Sequence, residues 1–263
     1  MSVASSLRGV LGGLGDRVFA VLEEFGQFGL LVVRSVVAVT RPRFPLRETF
    51  VQFESIAVRS TIIVAITALF TGMVLALQTV FSLSRFGAKP FTGSFVGLSF
   101  VLELGPVLTA LMVSGRVGAG IAAELGSMKV TEQVDAIRAM GADPVQKLVL
   151  PRVMAGCIGV PLLTVIANAL GIIGGMLIAA QSGIGANFYL QSVVNVVEVS
   201  SYLQSIAKGC VFGWIIMTVG CYMGLSTTGG TVGVGRATTR AVVVASISVL
   251  VSDFFITKLW MML

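Results

Sequence analysis

Histidine is absent from the 263 residues, and charged side chains make up only 11% of them. Without histidine, the chain has neither a His-containing catalytic triad nor a His-containing zinc site. Soluble domains are typically about 25% charged, so this chain has too few polar groups to cover a surface that faces water. The sequence therefore excludes an ordinary soluble protein and predicts one whose solvent is lipid.

Cysteine is scarce as well. The three cysteines, Cys157, Cys210 and Cys221, lie in apolar stretches at spacings that match no metal-binding motif. We interpret them as small packing residues and predict no metal and no cofactor. The net charge of +6 comes without an aromatic and basic platform, so no nucleic-acid partner is predicted.

Hydrophobic residues, in contrast, make up 56% of the chain. Their long uncharged runs predict an all-α integral membrane protein with about five transmembrane helices. The third and fourth are separated by a loop or short re-entrant segment, and the stretch Gly229–Gly235 is predicted to be a tight turn. The predicted spans cover residues 60–84, 92–114, 153–180, 203–225 and 238–260.

The N-terminal part of the chain has a different character. In residues 5–34 apolar side chains recur every three or four positions, which predicts an amphipathic helix, but it carries too many charges to span. We expect an interfacial helix lying on the membrane, with a helix packed on a soluble partner as the alternative. Residues 1–47, which end in a basic connector, are therefore separated from a transmembrane domain over residues 48–263.

The distribution of positive charge predicts the orientation. Placing the N-terminus in the cytoplasm puts 14 of the 18 Lys and Arg residues on the cytoplasmic side. Five spans then place the C-terminus outside. The four cations left on the outer side are Arg85, Lys89, Lys208 and Lys258.

The most polar segment lies between the second and third spans, at residues 116–152. A short amphipathic helix is predicted at about 127–140, capped by Ser127 and ended by Gly141, with Asp143-Pro144 starting the next helix. It is either a solvated connector or a docking helix for a cytoplasmic motor.

Glu103 is predicted to be the only acidic residue deep in a span. A carboxylate is costly there unless it is paired, protonated or facing a cavity. It either lines a cavity or gate, or ties two spans together through a hydrogen bond.

Three stretches resemble the MlaE-type permease family, which is associated with MCE proteins. They are ELGPVLTALMVSGRVGAGIAAELGSMKVTEQVDAIRAMGADPVQKLVLPR (103–152), GVGRATTRAVV (233–243) and SDFFITKLW (252–260). The resemblance implies a transmembrane subunit of an ABC transporter that moves phospholipids between the inner and outer membranes of bacteria. It implies a non-catalytic homodimer in the inner membrane, with a separate cytoplasmic ATPase, a periplasmic MCE-domain protein and, in some systems, a STAS-domain protein.

The resemblance also implies roles for particular residues. The helix at about 127–140 becomes the coupling helix for the ATPase, and Glu103 lies near the lipid cavity, with Leu75 and Gln78 as further candidates. Many family members carry Arg before the motif glutamate, where this chain has Leu102, so the ion pair that this Arg could provide is absent. The expected ATPase contacts are Glu124, Lys129, Glu132 and Asp135.

Two other function classes compete with this prediction. A self-contained secondary transporter or channel would be expected to show repeated halves and several ionisable groups inside its spans. A membrane-embedded enzyme would need histidines or clustered carboxylates in the spans. The chain carries no ATP-hydrolysing motif of its own, which favours a permease driven by another subunit.

Overall fold

The computed structural model describes residues 22–23, 26–38 and 45–262. The chain divides into two compact units, Met1–Phe44 and Pro45–Leu263. In the first unit the described residues are helical and include one short apolar helix, α1, at Gly26–Ala38. Most of the amphipathic helix predicted over residues 5–34 lies outside the described residues.

The second unit is built from helices, and its described residues contain no strand. Five stretches are long and apolar enough to cross a membrane, which confirms the predicted all-α membrane fold. We call them spans 1 to 5: Leu46–Ser84, Lys89–Val130, Val145–Gln181, Val199–Leu225 and Gly230–Trp260.

The helices of this unit are interrupted by short turns of other helical types. The 3-10 turns are Val58–Ser60 and Lys89–Phe91, and the π-helical turns are Phe100–Leu104, Ser114–Gly118 and Val145–Val149. The α-helices are α2 (Leu46–Ile56), α3 (Thr61–Ser84), α4 (Thr92–Ser99), α5 (Gly105–Val113), α6 (Ala119–Val130), α7 (Gln133–Ala139), α8 (Leu150–Gln181), α9 (Ala186–Val196), α10 (Val199–Leu225) and α11 (Gly230–Trp260).

The two faces of α3 show how the sequence suits a lipid surrounding. Small residues such as Ala68 and Ala76 form its buried stripe, and Gly72 in that stripe packs directly on the backbone of Gly171 in α8. Small residues permit such close helix approach inside membranes. The opposite face exposes large apolar side chains, which a lipid solvent accepts and water does not. They include Ile62, Ile66, Phe70, Val74, Leu77 and Phe81.

The segment predicted as a loop or short re-entrant segment between spans 3 and 4 is largely helical, because α9 occupies Ala186–Val196. Its Tyr189 and Val193 side chains are buried and pack over Gly93 and Gly97 of α4. Two glycines one turn apart leave room for this contact. The helix is thus stabilised by a tertiary contact that the local sequence does not reveal.

The Gly-rich stretch also forms a shorter turn than predicted. Gly229 and Gly230 have positive φ angles of 85° and 68° and reverse the chain. Because α11 begins at Gly230, the residues up to Gly235 already belong to span 5.

The single helix predicted at 127–140 is two helices in the structure. α6 continues span 2 past Ser127, and the chain then turns at Glu132, which has a φ of 60°. Only after this turn does α7 begin. Ser127 is therefore not the N-cap of a helix, as was predicted, but a residue inside α6. Its carbonyl oxygen accepts the Thr131 N–H at 3.0 Å.

The end of this short helix agrees with the prediction. Gly141 has a φ of 76° and follows directly on the last turn of α7. Asp143 Oδ1 accepts the Val145 N–H at 2.9 Å, which confirms Asp143-Pro144 as the start of the next helix.

Candidate functional site

A charged side chain without solvent exposure lies inside the bundle. Lys208 of α10 is 0% exposed, although it sits in a helix that is otherwise apolar enough to span a membrane. Its ammonium group lies 2.9 Å from Glu103 Oε2, 2.8 Å from Asp253 Oδ1 and 2.9 Å from the Leu102 carbonyl oxygen. Glu103 Oε2 and the Leu102 carbonyl oxygen accept hydrogen bonds from this ammonium group, whereas Asp253 Oδ1 contacts it as an ion pair without hydrogen-bond geometry.

The two carboxylates come from different spans. Glu103 lies in the π-helical turn of span 2, and Asp253 lies in α11 of span 5. One turn beyond Asp253, the Thr257 hydroxyl donates to Glu103 Oε1 at 3.1 Å. We call Glu103, Lys208, Asp253 and Thr257 the membrane polar cluster; it ties spans 2, 4 and 5 together.

The local sequence around Glu103 explains why a carbonyl joins the cluster. Pro106 has no N–H, so it cannot donate to the Leu102 carbonyl as an α-helical residue would. The Lys208 ammonium donates to that oxygen instead. The π-helical turn Phe100–Leu104 ends just before Pro106, and such turns occur frequently at functional sites.

Close packing buries the lysine. Gly209, the next residue, lies against the backbone of Pro161 in α8, so α10 and α8 touch at this level. One turn before Lys208, the Ser205 hydroxyl accepts from Asn168 Nδ2 at 2.9 Å, and both of these side chains are buried. Asn168 Oδ1 in turn fills the space beside Gly105 where a Cβ atom would stand.

The polar cluster has one cation and two carboxylates. With all three ionised, its formal charge is −1, so it can hold a proton or attract a further cationic group. The Glu103 side chain remains 42% exposed, whereas that of Asp253 is 17% exposed. Glu103 is therefore the group of the cluster that a second molecule can reach most easily.

The cluster lies in one half of the bundle. Asp253 is seven residues before Trp260, the end of α11. At about 1.5 Å per residue this places it about 10 Å from that end. Span 5 begins on the side that holds most basic residues, so the cluster lies nearer the opposite side.

Two expectations about charge inside the spans were wrong. Asp253 is a second carboxylate at depth, and Lys208, which was counted as an outside residue, is buried within span 4. The in-membrane ion pair that seemed absent with Leu102 is provided by Lys208. The spacing Asp253–Thr257 at i and i+4, together with a lysine ten residues into an apolar span, is the sequence pattern that points to them.

The other two residues predicted for a lipid cavity lie on α3. Leu75 is half-buried and packs against the apolar cluster that contains Val101. Gln78 is exposed. In the described part of the chain, Glu103 finds its polar partners in Lys208 and Thr257, and neither Leu75 nor Gln78 is among them.

The residues predicted to meet an ATPase lie around the ends of α6 and α7. Lys129 pairs with Asp135 at 2.8 Å, and Arg138 pairs with Asp135 at 3.1 Å. The hydrogen bond from Lys129 holds the pKa of the Asp135 carboxyl below its ordinary value, with the nearby Arg138 adding to this effect.

Glu124 and Glu132 differ in their surroundings. Glu124 forms an ion pair at 2.8 Å with Arg152. The Arg152 side chain is only 4% exposed. Glu132 is exposed at the left-handed turn before α7, and within the described residues its carboxylate makes no ion pair. Among the four, Glu132 is the exposed residue whose charge is not already used in an ion pair within the described residues.

Within the described ranges, no three cysteine, aspartate or glutamate side chains come close enough together to hold a metal ion. The arrangement is one of buried charge between helices, suited to binding and conformational coupling.

Comparison with known proteins gives consistent matches along the chain. The family described as Permease MlaE matches residues 49–259. A probable ABC transporter permease protein of Rickettsia felis is 40% identical over 255 residues, covering 97% of this chain and 98% of the relative.

Two further relatives have more specific names. The intermembrane phospholipid transport system permease protein MlaE of Haemophilus influenzae is 34% identical, over 95% of this chain and 96% of its own. The chloroplastic protein TRIGALACTOSYLDIACYLGLYCEROL 1 of Arabidopsis thaliana is 35% identical, over 85% of this chain and 64% of its own.

Proposed function

Because the chain belongs to the MlaE permease family, we propose that it is the transmembrane permease subunit of an ABC-type transporter that moves phospholipids between the inner and outer membranes. The observation that carries this proposal is the near full-length likeness to the Haemophilus influenzae phospholipid permease. The five spans and the buried polar cluster agree with it, since ionisable groups inside membranes mark transport pathways.

We infer that the lipid meets the chain at Glu103, with Leu75 and Gln78 of α3 beside the path. Glu103 keeps a partly exposed carboxylate, and Gln78 is an exposed amide in a helix that has no charged residue. Lys208 holds the carboxylate in place from the buried side.

We further propose the orientation and the partners. The chain acts as a homodimer with its N-terminus in the cytoplasm and its C-terminus in the periplasm. The charge bias supports this orientation, because 14 cations remain on the cytoplasmic side. Only Arg85, Lys89 and Lys258 are left outside, since Lys208 lies inside a span. A cytoplasmic ATPase supplies the energy and a periplasmic MCE-domain protein exchanges lipid with the permease, joined in some systems by a STAS-domain protein.

The ATPase site is proposed at α7, with Glu124, Lys129, Glu132 and Asp135 around it. α7 is a short helix between spans 2 and 3 on the basic side, and Val134 anchors it by complete burial. Such an anchored helix can transmit a displacement to α6, which it contacts.

The transport proposal is tested by reconstituting the complex in vesicles and measuring ATP-dependent transfer of a labelled phospholipid. Glu103→Gln should lower transfer by about tenfold or more, since hydrogen bonds to a charged group are worth more than neutral ones. The exposed Glu54→Gln on α2 serves as the matched control. Transfer that needs no ATP would favour a channel, and wild-type transfer by Glu103→Gln would remove the role given to this carboxylate.

The ATPase site is tested separately by co-purification. Glu132→Lys should release the ATPase while leaving the amount of folded permease unchanged, because this carboxylate has no partner to lose in the described chain. Glu54→Lys should retain it. Equal ATPase recovery from Glu132→Lys and wild type would contradict a contact at this turn.

A further inference from the structure

A groove lies on the basic side of the bundle, where the start of span 1 meets the start of span 3. Its volume is about 360 Å³. Three cations line it, Arg47 from α2 and Lys147 and Arg152 from the beginning of span 3, against one carboxylate, Glu48. We call it the headgroup groove.

The cations of the headgroup groove differ in how far they are neutralised. Arg47 and Lys147 are exposed, and the described part of the chain places no carboxylate within ion-pair distance of either. Arg152 pairs with Glu124, yet its buried Nε has no acceptor among the described residues. The groove therefore has positive charges and an N–H donor that are available to bind an anion.

The surroundings of the groove are apolar and face outward. On α2, Leu46 and Phe50 flank Arg47 and are 72% and 73% exposed, and Val51 lines the groove itself. A soluble anion site has no need of exposed leucine and phenylalanine at its rim. Acyl chains would cover these side chains while the phosphate of the same lipid reaches the cations.

We propose that the headgroup groove binds the phosphate of an anionic phospholipid from the leaflet on the basic side. Arginine can hold a phosphate through two N–H groups, and lysine adds a compact positive charge. Basic pockets between transmembrane helices bind anionic headgroups in this way. The lipid is a bound neighbour of the bundle, at the opposite end from the membrane polar cluster, so this site is independent of the transport function proposed above.

Binding is measured on the purified full-length protein in mixed micelles that contain phosphatidylglycerol or phosphatidylcholine with identical acyl chains. Native mass spectrometry then counts the lipids retained per chain. The wild type should retain phosphatidylglycerol preferentially, and Arg47→Gln with Lys147→Gln should lower this preference by about fivefold for each cation removed. The matched control is Arg85→Gln with Lys89→Gln, two exposed cations at the other end of spans 1 and 2, and it should keep the preference.

Three outcomes would overturn the proposal. One is equal retention of the two lipids by the wild type, or an unchanged preference in the groove variant. Another is displacement of phosphatidylglycerol by inorganic phosphate at constant ionic strength, which would identify soluble phosphate as the ligand. The third is loss of ATPase co-purification in the groove variant without any change in lipid retention, which would make the groove a protein contact.

Discussion

The Lys208 ammonium and the Glu103 carboxylate lie 2.9 Å apart although 105 residues separate them in the sequence. The two partners are unequally buried, since Lys208 is 0% exposed and Glu103 is 42% exposed. Because the lysine is fully desolvated, its charge is stabilised only by the carboxylates beside it. Glu103 is partly exposed, so its carboxylate can replace one of its present contacts with a contact to a ligand. The lysine is therefore the structural member of the pair and the glutamate is the member open to a ligand.

Replacing the lysine should destabilise the bundle. Lys208→Met leaves two carboxylates in the spans without their cation and should cost about 3 kcal/mol of stability. The triple variant Lys208→Met, Glu103→Gln, Asp253→Asn removes all three charges and should regain most of that loss. The measurement is the unfolding midpoint of the purified protein in detergent.

The exposed Lys89→Met is the control for this experiment, and its free energy of unfolding should remain within about 0.5 kcal/mol of that of the wild type. A triple variant less stable than Lys208→Met would show that the charges do not depend on one another.

Gly105 should accept a side chain only when Asn168 is shortened. In the wild type, Asn168 Oδ1 occupies the position of a Cβ atom at Gly105, so Gly105→Ala should cost about 1–3 kcal/mol through overpacking. Adding Asn168→Ala should make the double variant more stable than the sum of the two single changes predicts. A double-mutant cycle on thermal unfolding measures this coupling.

The control for this cycle is Gly120→Ala in α6, where nothing lies within 4 Å of the added atom. It should leave stability unchanged or raise it by up to about 1 kcal/mol, since alanine is the better helix former. If the free-energy changes of Gly105→Ala and Asn168→Ala were strictly additive, the two residues would not be in contact.

The left-handed turn before α7 should favour glycine. Glu132 has a φ of 60°, a conformation that costs a residue with a side chain about 1 kcal/mol or more. Glu132→Gly should therefore slow hydrogen exchange in α7, whereas Ala136→Gly inside the helix should accelerate it. Faster exchange in both variants would mean that the turn is not left-handed.

The contribution of Asp135 to stability should depend on pH. Its pKa in the folded state is lowered from the ordinary value of 3.8 by the hydrogen bond from Lys129. A lowered folded pKa gives stability that is complete above the unfolded pKa and is lost as the pH falls through the folded pKa.

The midpoint difference between wild type and Asp135→Asn should therefore stay constant between about pH 8 and pH 5 and shrink below about pH 3.8. Glu54→Gln is the control variant, and its unfolding midpoint should stay close to that of the wild type over the same pH range. A difference that already shrinks between about pH 6 and pH 5 would contradict a lowered pKa.

Much of the fold follows from local composition. Uncharged runs such as 60–84 predict spans because a helix of that length crosses the hydrocarbon layer and few other structures satisfy their backbone there. Turn residues with strict conformational roles were also predictable, as Gly141 and Asp143 show. Errors arose where a helix continues through polar residues, at 127–130, or where a distant surface stabilises a helix, as for α9.

The sequence by itself determined that this protein resides in a membrane, that it has five spans, and that Glu103 lies at a depth where a carboxylate needs a partner. Only the tertiary structure decided which residues are its partners. Hydropathy cannot tell a buried lysine from one that extends to the membrane surface, because both have the same neighbours in sequence. The contact of Gly209 with Pro161 brings α10 against α8, buries Lys208 and places its ammonium beside carboxylates from spans 2 and 5.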